Sequence, residues 1–182
     1  PLKGEGKTSL SCHLATSLAR AGRRTLLIDG DLRKPSLHEI FDSAPEPGLC
    51  EVLRGEAGWE TAVVSTPTPG LSLMLAGRLD AAAVESLPRE QFTDFLQEAR
   101  EQFDFVIVDT SPILQVTDPL IISQHVDAVL FSVLREVSQL PLIQMAYARL
   151  SSMGVRVLGA VVAGVPAKGN RYYGSYTSPK AK

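Results

Sequence analysis

At 182 residues, with Lys+Arg 18 against Asp+Glu 20 and a net charge of -2, the chain fits one α/β domain and has no basic surplus to draw nucleic acid. Its apolar runs are strand-sized, so nothing in it reads as a membrane span or as a disordered chain. The charge is unevenly spread. Residues 166–182 carry Lys168, Arg171, Lys180 and Lys182 and no acid, a tail of +4 behind a body of -6. The two cysteines, Cys12 and Cys50, fit neither a metal nor a disulfide spacing and read as reduced, core or half-buried thiols of a cytosolic protein.

In chain order, the first signal is Gly4-Glu5-Gly6-Lys7-Thr8-Ser9. It has the form of the second half of a phosphate-binding loop, in which glycines let backbone N–H groups close on phosphates, Lys7 reaches the outer ones and Thr8 presents a hydroxyl to Mg²⁺. The full pattern wants glycine where Pro1 stands, and the strand expected ahead of such a loop lies before Pro1. Leu10, Leu14, Leu18 and the small Ala15 and Ala19 then recur at helical spacing up to Ala21-Gly22, so the loop opens a helix whose N-terminus faces the phosphates.

Residues 25–29 are an apolar run closed by Asp29, the pattern of a buried parallel strand with its acid at the carboxyl end, where open α/β sheets place ligands. Asp31 and Arg33-Lys34-Pro35 follow in a charged loop that is equally readable as a solvated turn. Short helices are expected at 36–41 and 49–53, a short strand with a helical alternative at 59–65, a strand at 71–77 and a helix start at 81–87. Trp59 reads as a packing residue. Residues 91–103 carry Phe92, Phe95, Leu96, Ala99 and Phe103 on one helical face. Residues 105–109 repeat the earlier device, four apolar residues and then Asp109. A helix from Asp118 to about Gln124, a strand at 128–133, a helix at 139–153 stopped by Gly154 and a strand at 155–162 complete the alternation. Such alternation predicts an α/β fold of the P-loop NTPase kind, a mainly parallel β-sheet with helices on both faces and the first strand truncated. Residues 1–165 form the P-loop domain and 166–182 a flexible basic tail.

Phosphoryl transfer is chiefly a matter of placing charge: cations on the phosphate oxygens, a divalent metal bridging them, and a carboxylate to hold that metal or take the nucleophile's proton. Lys7 supplies the cation. Thr8 and Asp109 are candidates to hold Mg²⁺ directly or through water, and Asp29 and Asp31 to hold metal or activate the acceptor. Taken singly, Asp109 is equally a loop acid or a helix cap; its value comes from standing with a P-loop and a second acid-tipped strand.

These stretches resemble the cytoplasmic domain of bacterial tyrosine kinases, the P-loop kinases of exopolysaccharide and capsule synthesis and export. Gly4-Glu5-Gly6-Lys7-Thr8 matches their Walker A segment, residues 26–35 (LLIDGDLRKP) their Walker A′ segment in its D-x-D-x-R-x-P form, and residues 106–112 (VIVDTSP) Walker B. Weaker matches at residues 47–55, 70–77 and 116–118 connect them in family order. The resemblance implies ATP- and Mg²⁺-dependent phosphorylation of tyrosine, chiefly of a C-terminal cluster on a neighbouring subunit, and Tyr172, Tyr173 and Tyr176 stand where that cluster falls. It also implies homo-oligomers, a membrane-spanning polysaccharide co-polymerase or activator segment upstream or in a separate chain, and residence at the cytoplasmic side of the bacterial inner membrane.

The departures are informative. Lys3 stands where relatives often have proline, and the signature lysine of the related cell-division and partitioning ATPases falls on Leu2, which argues against that sister group. Ala163 stands where many relatives carry an asparagine near the adenine. One other reading remains open from sequence, a nucleotide-dependent regulator of polysaccharide chain length in which tail phosphorylation is incidental or missing; a third, a partitioning-type ATPase, is disfavoured by Leu2 and by the lack of a basic face.

Overall fold

The computed structural model describes residues 4–80, 84, 87 and 90–165. The element order is α1 (Lys7–Arg20), β1 (Thr25–Gly30), α2 (Leu37–Ile40), α3 (Leu49–Leu53), α4 (Trp59–Ala62), β2 (Val63–Ser65), β3 (Leu71–Met74), α5 (Glu90–Gln102), β4 (Phe105–Thr110), α6 (Asp118–Ser123), β5 (Val129–Leu134), α7 (Leu140–Ser152) and β6 (Val157–Ala163). β1 is parallel to both β3 and β4, and β5 is parallel to β6. β2 alone runs antiparallel, on β3, so the sheet order is β2-β3-β1-β4 with β5-β6 as a separate pair.

The strand expected over 59–65 divides: a helical turn holds Trp59–Ala62, and only Val63–Ser65 pair with β3. The helix start expected at 81–87 falls largely outside the described residues, as do Lys3, Leu2 and the tail 166–182. Among the described residues no helix is long and apolar enough to cross a membrane.

β1 is buried along its whole length because helices cover both sheet faces. Its side chains alternate accordingly. Leu26 and Ile28 join a core with Leu53, Met74, Phe92 and Phe95, whereas Leu27 faces the other way onto Ala15, Ala19, Leu71 and Leu73. Trp59 packs as expected: it is buried against Phe95, ring centroids 5.9 Å apart, and its Nε1 donates to Glu98 Oε2 at 2.6 Å. The cysteines divide too, Cys50 buried and Cys12 half-buried. A third apolar cluster, with Phe131, Ala146 and Leu150, seats α7 on the β5-β6 pair.

In α1 the small residues Ala15 and Ala19 are the buried ones, while Leu14 is 37% exposed. The reason is the environment of the leucine face. Leu10 and Leu14 border an apolar cleft of about 550 Å³ that runs between the outer edges of β4 and β5. Both edges lack a strand partner on that side among the described residues, which is why Val106, Ile107 and Val108 are only half-buried.

At the other border of β4, backbone meets backbone without room for a side chain. A Cβ on Gly30 would lie 2.8 Å from the Asp109 carbonyl oxygen and 2.8 Å from Val108 Cγ1. Gly30→Ala is therefore expected to destabilise the fold by about 1–3 kcal/mol through forced separation of β1 and β4. Urea unfolding measures it, and a midpoint equal to the parent's would show that the two strand ends give way freely.

Candidate active site

Gly4 and Gly6 take left-handed backbone conformations, with φ +82° and +76°, which L side chains adopt only under strain. They turn the chain into α1. No side chain caps that helix, since its N-cap is Gly6, and its first turn carries no acid. Its leading amides and dipole are thus uncompensated from within, as in helix ends that receive anions. The loop is anchored from behind. The Glu5 carbonyl accepts from Ser132 Oγ at 2.7 Å, and Glu5 Oε1 accepts from Ser138 Oγ at 2.6 Å. Glu5 is 1% exposed, so within the predicted nucleotide segment its side chain serves the anchoring, and its charge also reaches Lys7. Ser9 is exposed on the first turn.

The parallel register places Asp29 directly beside Asp109 at the carboxyl ends of β1 and β4. α1 lies against the same rim. Thr8 Oγ1 donates to Asp109 Oδ2 at 2.6 Å, and Ser11 Oγ, one helical turn from Lys7, donates to Asp109 Oδ1 at 3.0 Å. Asp29 is engaged differently. Its Oδ2 accepts the amides of Ser36 and Leu37, each at 3.0 Å, and its Oδ1 that of Asp31 at 3.3 Å. Asp29 therefore ties down the loop that carries Asp31.

Asp31 Oδ1 accepts from Ser111 Oγ at 2.6 Å, from the Lys34 amide at 3.0 Å and from the Arg33 amide at 3.2 Å. Beyond it Arg33 forms a two-pronged pair with Asp118, Nε to Oδ2 at 2.9 Å and Nη2 to Oδ1 at 3.2 Å. Asp118 is 1% exposed, and a buried carboxylate of that kind requires such a partner.

Burial works against charge throughout this rim. It pushes the Asp29 carboxyl up to about 6, opposed by the Leu37 and Ser36 amides, and raises Asp109, opposed by the Thr8 and Ser11 hydroxyls. It lowers Lys7, opposed by the nearby charges of Glu5, Asp109 and Asp31. Burial likewise pushes the Cys12 thiol to about 11 and Cys50 to about 12, which fits unreactive thiols.

Lys7, Thr8, Asp29, Asp31 and Asp109 thus share one rim. Tyr172, Tyr173 and Tyr176 lie outside the described residues. Sequence reasoning gave no role to Ser11, Ser111 or the Arg33–Asp118 pair. Ser11 was accessible from spacing, being at i+3 from Thr8 and i+4 from Lys7 on the same helix face. Nothing in the sequence pointed Ser111 across to the β1 loop.

Thr8 Oγ1 and the Asp109 carboxylate are hard oxygen donors of the kind Mg²⁺ takes. No group of three or more His, Cys, Asp or Glu able to hold a metal exists among the described residues. That donor set fits an ion which keeps several waters and completes its shell on substrate phosphates, and does not fit an all-protein cage.

Residues 3–140 match the family model of the AAA domain. The tyrosine-protein kinase ptk of Acinetobacter johnsonii is 38% identical over 89% of this chain, and the tyrosine-protein kinase CpsD of Streptococcus pneumoniae 36% identical over 95%. The chain spans 22% of the length of the former and 78% of the latter. The kinase domain of the Escherichia coli tyrosine kinase ETK superposes with a TM-score of 0.88 at 29% identity, covering 97% of this chain and 69% of that one. A P-loop helix and two acid-tipped parallel strands at one rim, together with these likenesses, make the chain a member of the bacterial tyrosine-kinase family, built on the nucleotide-binding α/β fold of the AAA domain.

Proposed function

We propose that this domain transfers the γ-phosphoryl group of ATP to tyrosine in a Mg²⁺-dependent reaction, with Tyr172, Tyr173 and Tyr176 of a neighbouring copy as acceptors. The observation that carries the reading is the convergence of Lys7, Thr8, Asp31 and Asp109 on the rim that α1 opens onto. When bound, Mg²⁺ neutralises charge on the β- and γ-phosphates.

The chain's own residues do the rest. The amides at the start of α1 and the Lys7 ammonium hold the phosphates, while Thr8 and Asp109 present the oxygens that hold the ion. Asp29 fixes the loop that carries Asp31 and, beside Asp109, stands with Thr8 and Asp109 toward the ion. Asp31 takes the tyrosine proton as the bond from Oη to the γ-phosphorus forms and the bond from that phosphorus to the leaving ADP oxygen breaks. The body's net -6 favours approach of a +4 tail, and each phosphate added to the tail weakens that attraction. The tail makes the copies of this chain one another's substrate, so we place the working unit in a homo-oligomer. We place it at the cytoplasmic side of the bacterial inner membrane, beside a membrane-spanning polysaccharide co-polymerase segment, with no nucleic acid as partner. The physiological process we propose is exopolysaccharide or capsule synthesis or export.

Incubation with labelled ATP and Mg²⁺, followed by mapping of the phosphate, tests the reading. Label is expected on Tyr172, Tyr173 and Tyr176 and is expected to disappear when all three are Phe. ATP turnover with no label on tyrosine would favour the non-transferring regulator instead. Lys7→Met is expected to lower transfer about a hundredfold or more, because it removes the protein cation from the transferring phosphate. Transfer at the parental rate would exclude that role for the loop.

The pH dependence has a definite sign. A buried acid raised to about 6 holds its proton in the folded state between its ordinary value and about 6. Its contribution to folding stability is therefore greatest below that window and falls as pH rises through it. Mg²⁺-ATP favours the ionised carboxylates and must displace the proton. The ATP-induced rise in Tm is expected to shrink as pH falls from 7 to 5, and a flat response across that range would count against ionised Asp29 and Asp109 in the site.

A further inference from the structure

Asp31 sits in a loop that leaves β1, and its backbone is fixed by the grip of Asp29 on the amides of Asp31, Ser36 and Leu37. None of those bonds sets the rotation of the Asp31 carboxylate itself. That is set at Oδ1, where two loop amides at 3.0 and 3.2 Å and one side chain, Ser111, meet. The Ser111 bond is the shortest of the three at 2.6 Å, and it comes from the residue just past the end of β4, two residues beyond Asp109. Ser111 is 3% exposed, so water does not compete for its hydroxyl. Three donors saturate Oδ1, and among the described residues no hydrogen bond reaches Oδ2. A carboxylate held by one oxygen and open at the other is oriented to accept a proton at the open one.

We propose that Ser111 is a positioning residue for phosphoryl transfer: its hydroxyl locks the Asp31 carboxylate in the rotamer that presents Oδ2 to the acceptor hydroxyl. The inference rests on the role given to Asp31 above. It also ties the two acid-bearing loops together, because Ser111 moves with β4, which carries Asp109, while Asp31 moves with β1. A serine suits the task. Its donor sits on one short rotor, and the turn that follows, at Pro112, carries the chain away from the rim.

The test uses Ser111→Ala, Ser111→Cys, which keeps the volume but offers only a weak donor, and Ser111→Thr, which keeps the hydroxyl. The rate of label transfer to tyrosine is expected to fall roughly tenfold in the first two, with KM for ATP within about twofold of the parent, and to stay within about threefold in the third. An unchanged ATP-induced rise in Tm shows that each variant is folded and binds nucleotide. Ser111→Ala or Ser111→Cys transferring at the parental rate overturns the inference, and so does Ser111→Thr being as slow as Ser111→Ala. The pairing with Asp31 is read in a double variant: in an Asp31→Asn background, Ser111→Ala is expected to add less than twofold, because the interaction it serves is already gone. A further tenfold loss there would place Ser111 on another task and overturns it as well. If Asp31→Asn itself transfers at the parental rate, the assignment of Asp31 fails and takes this one with it. If Asp31→Asn is slow and Ser111→Ala is normal, only Ser111 falls.

Discussion

The pairing of β1 with β4 is the constraint on which the rest of the rim depends. Parallel strands in register put equivalent residues side by side, so the pairing from Thr25 with Phe105 through Gly30 with Thr110 leaves Asp29 and Asp109 no choice but adjacency. Gly30 lets the two backbones approach closely enough for that register to persist to the strand ends. A slip of one residue would turn one acid to the opposite sheet face, away from its neighbour, and break the bond from Thr8 to Asp109. The P-loop helix is therefore located by the sheet through a hydroxyl and a carboxylate 101 residues apart in sequence.

Desolvation gives this rim its electrical character. Two carboxylates are raised and an ammonium is lowered, so burial disfavours the charged form of each. In a purely structural ion cluster the charges offset one another, as they do for Arg33 with Asp118. At the rim the offset is incomplete: Asp109 is served by two neutral hydroxyls and Asp29 by backbone amides. A ligand bringing both a dication and a polyanion relieves each kind of charge at once. That asymmetry separates a binding site from a stabilising network more cleanly than the presence of acids does.

Much of this was legible in the sequence because it is local. The apolar runs ending in Asp29 and Asp109, the helical face of residues 91–103, and the Gly6-Lys7-Thr8 turn are each decided by a few neighbouring residues, and the structure places β1, α5, β4 and α1 there. Where tertiary surroundings decide, the sequence was less informative. Residues 59–65 hold both a helical turn and a strand, since Val63–Ser65 extend only because β3 offers them an antiparallel edge. Leu14 carries the helical period of a core residue yet is exposed, because its face borders the cleft between β4 and β5. The roles of Asp29 and Asp31 were interchangeable as letters in one motif. Only the direction in which each carboxylate points distinguishes the acid that holds a loop from the acid that the loop presents.

Glu5 takes the same distinction one step further. Inside a phosphate-binding segment an acid is electrostatically unwelcome, since it lies beside the anion the loop receives. With Oε1 bonded to Ser138 and its carbonyl to Ser132, Glu5 fastens the P-loop to β5 and the turn beyond it, and its charge supports the Lys7 ammonium against desolvation. Thr8 fastens the same loop to β4 through Asp109. β4 and β5 belong to different sheets, separated by the apolar cleft, so among the described residues the loop bridges the two through these polar bonds.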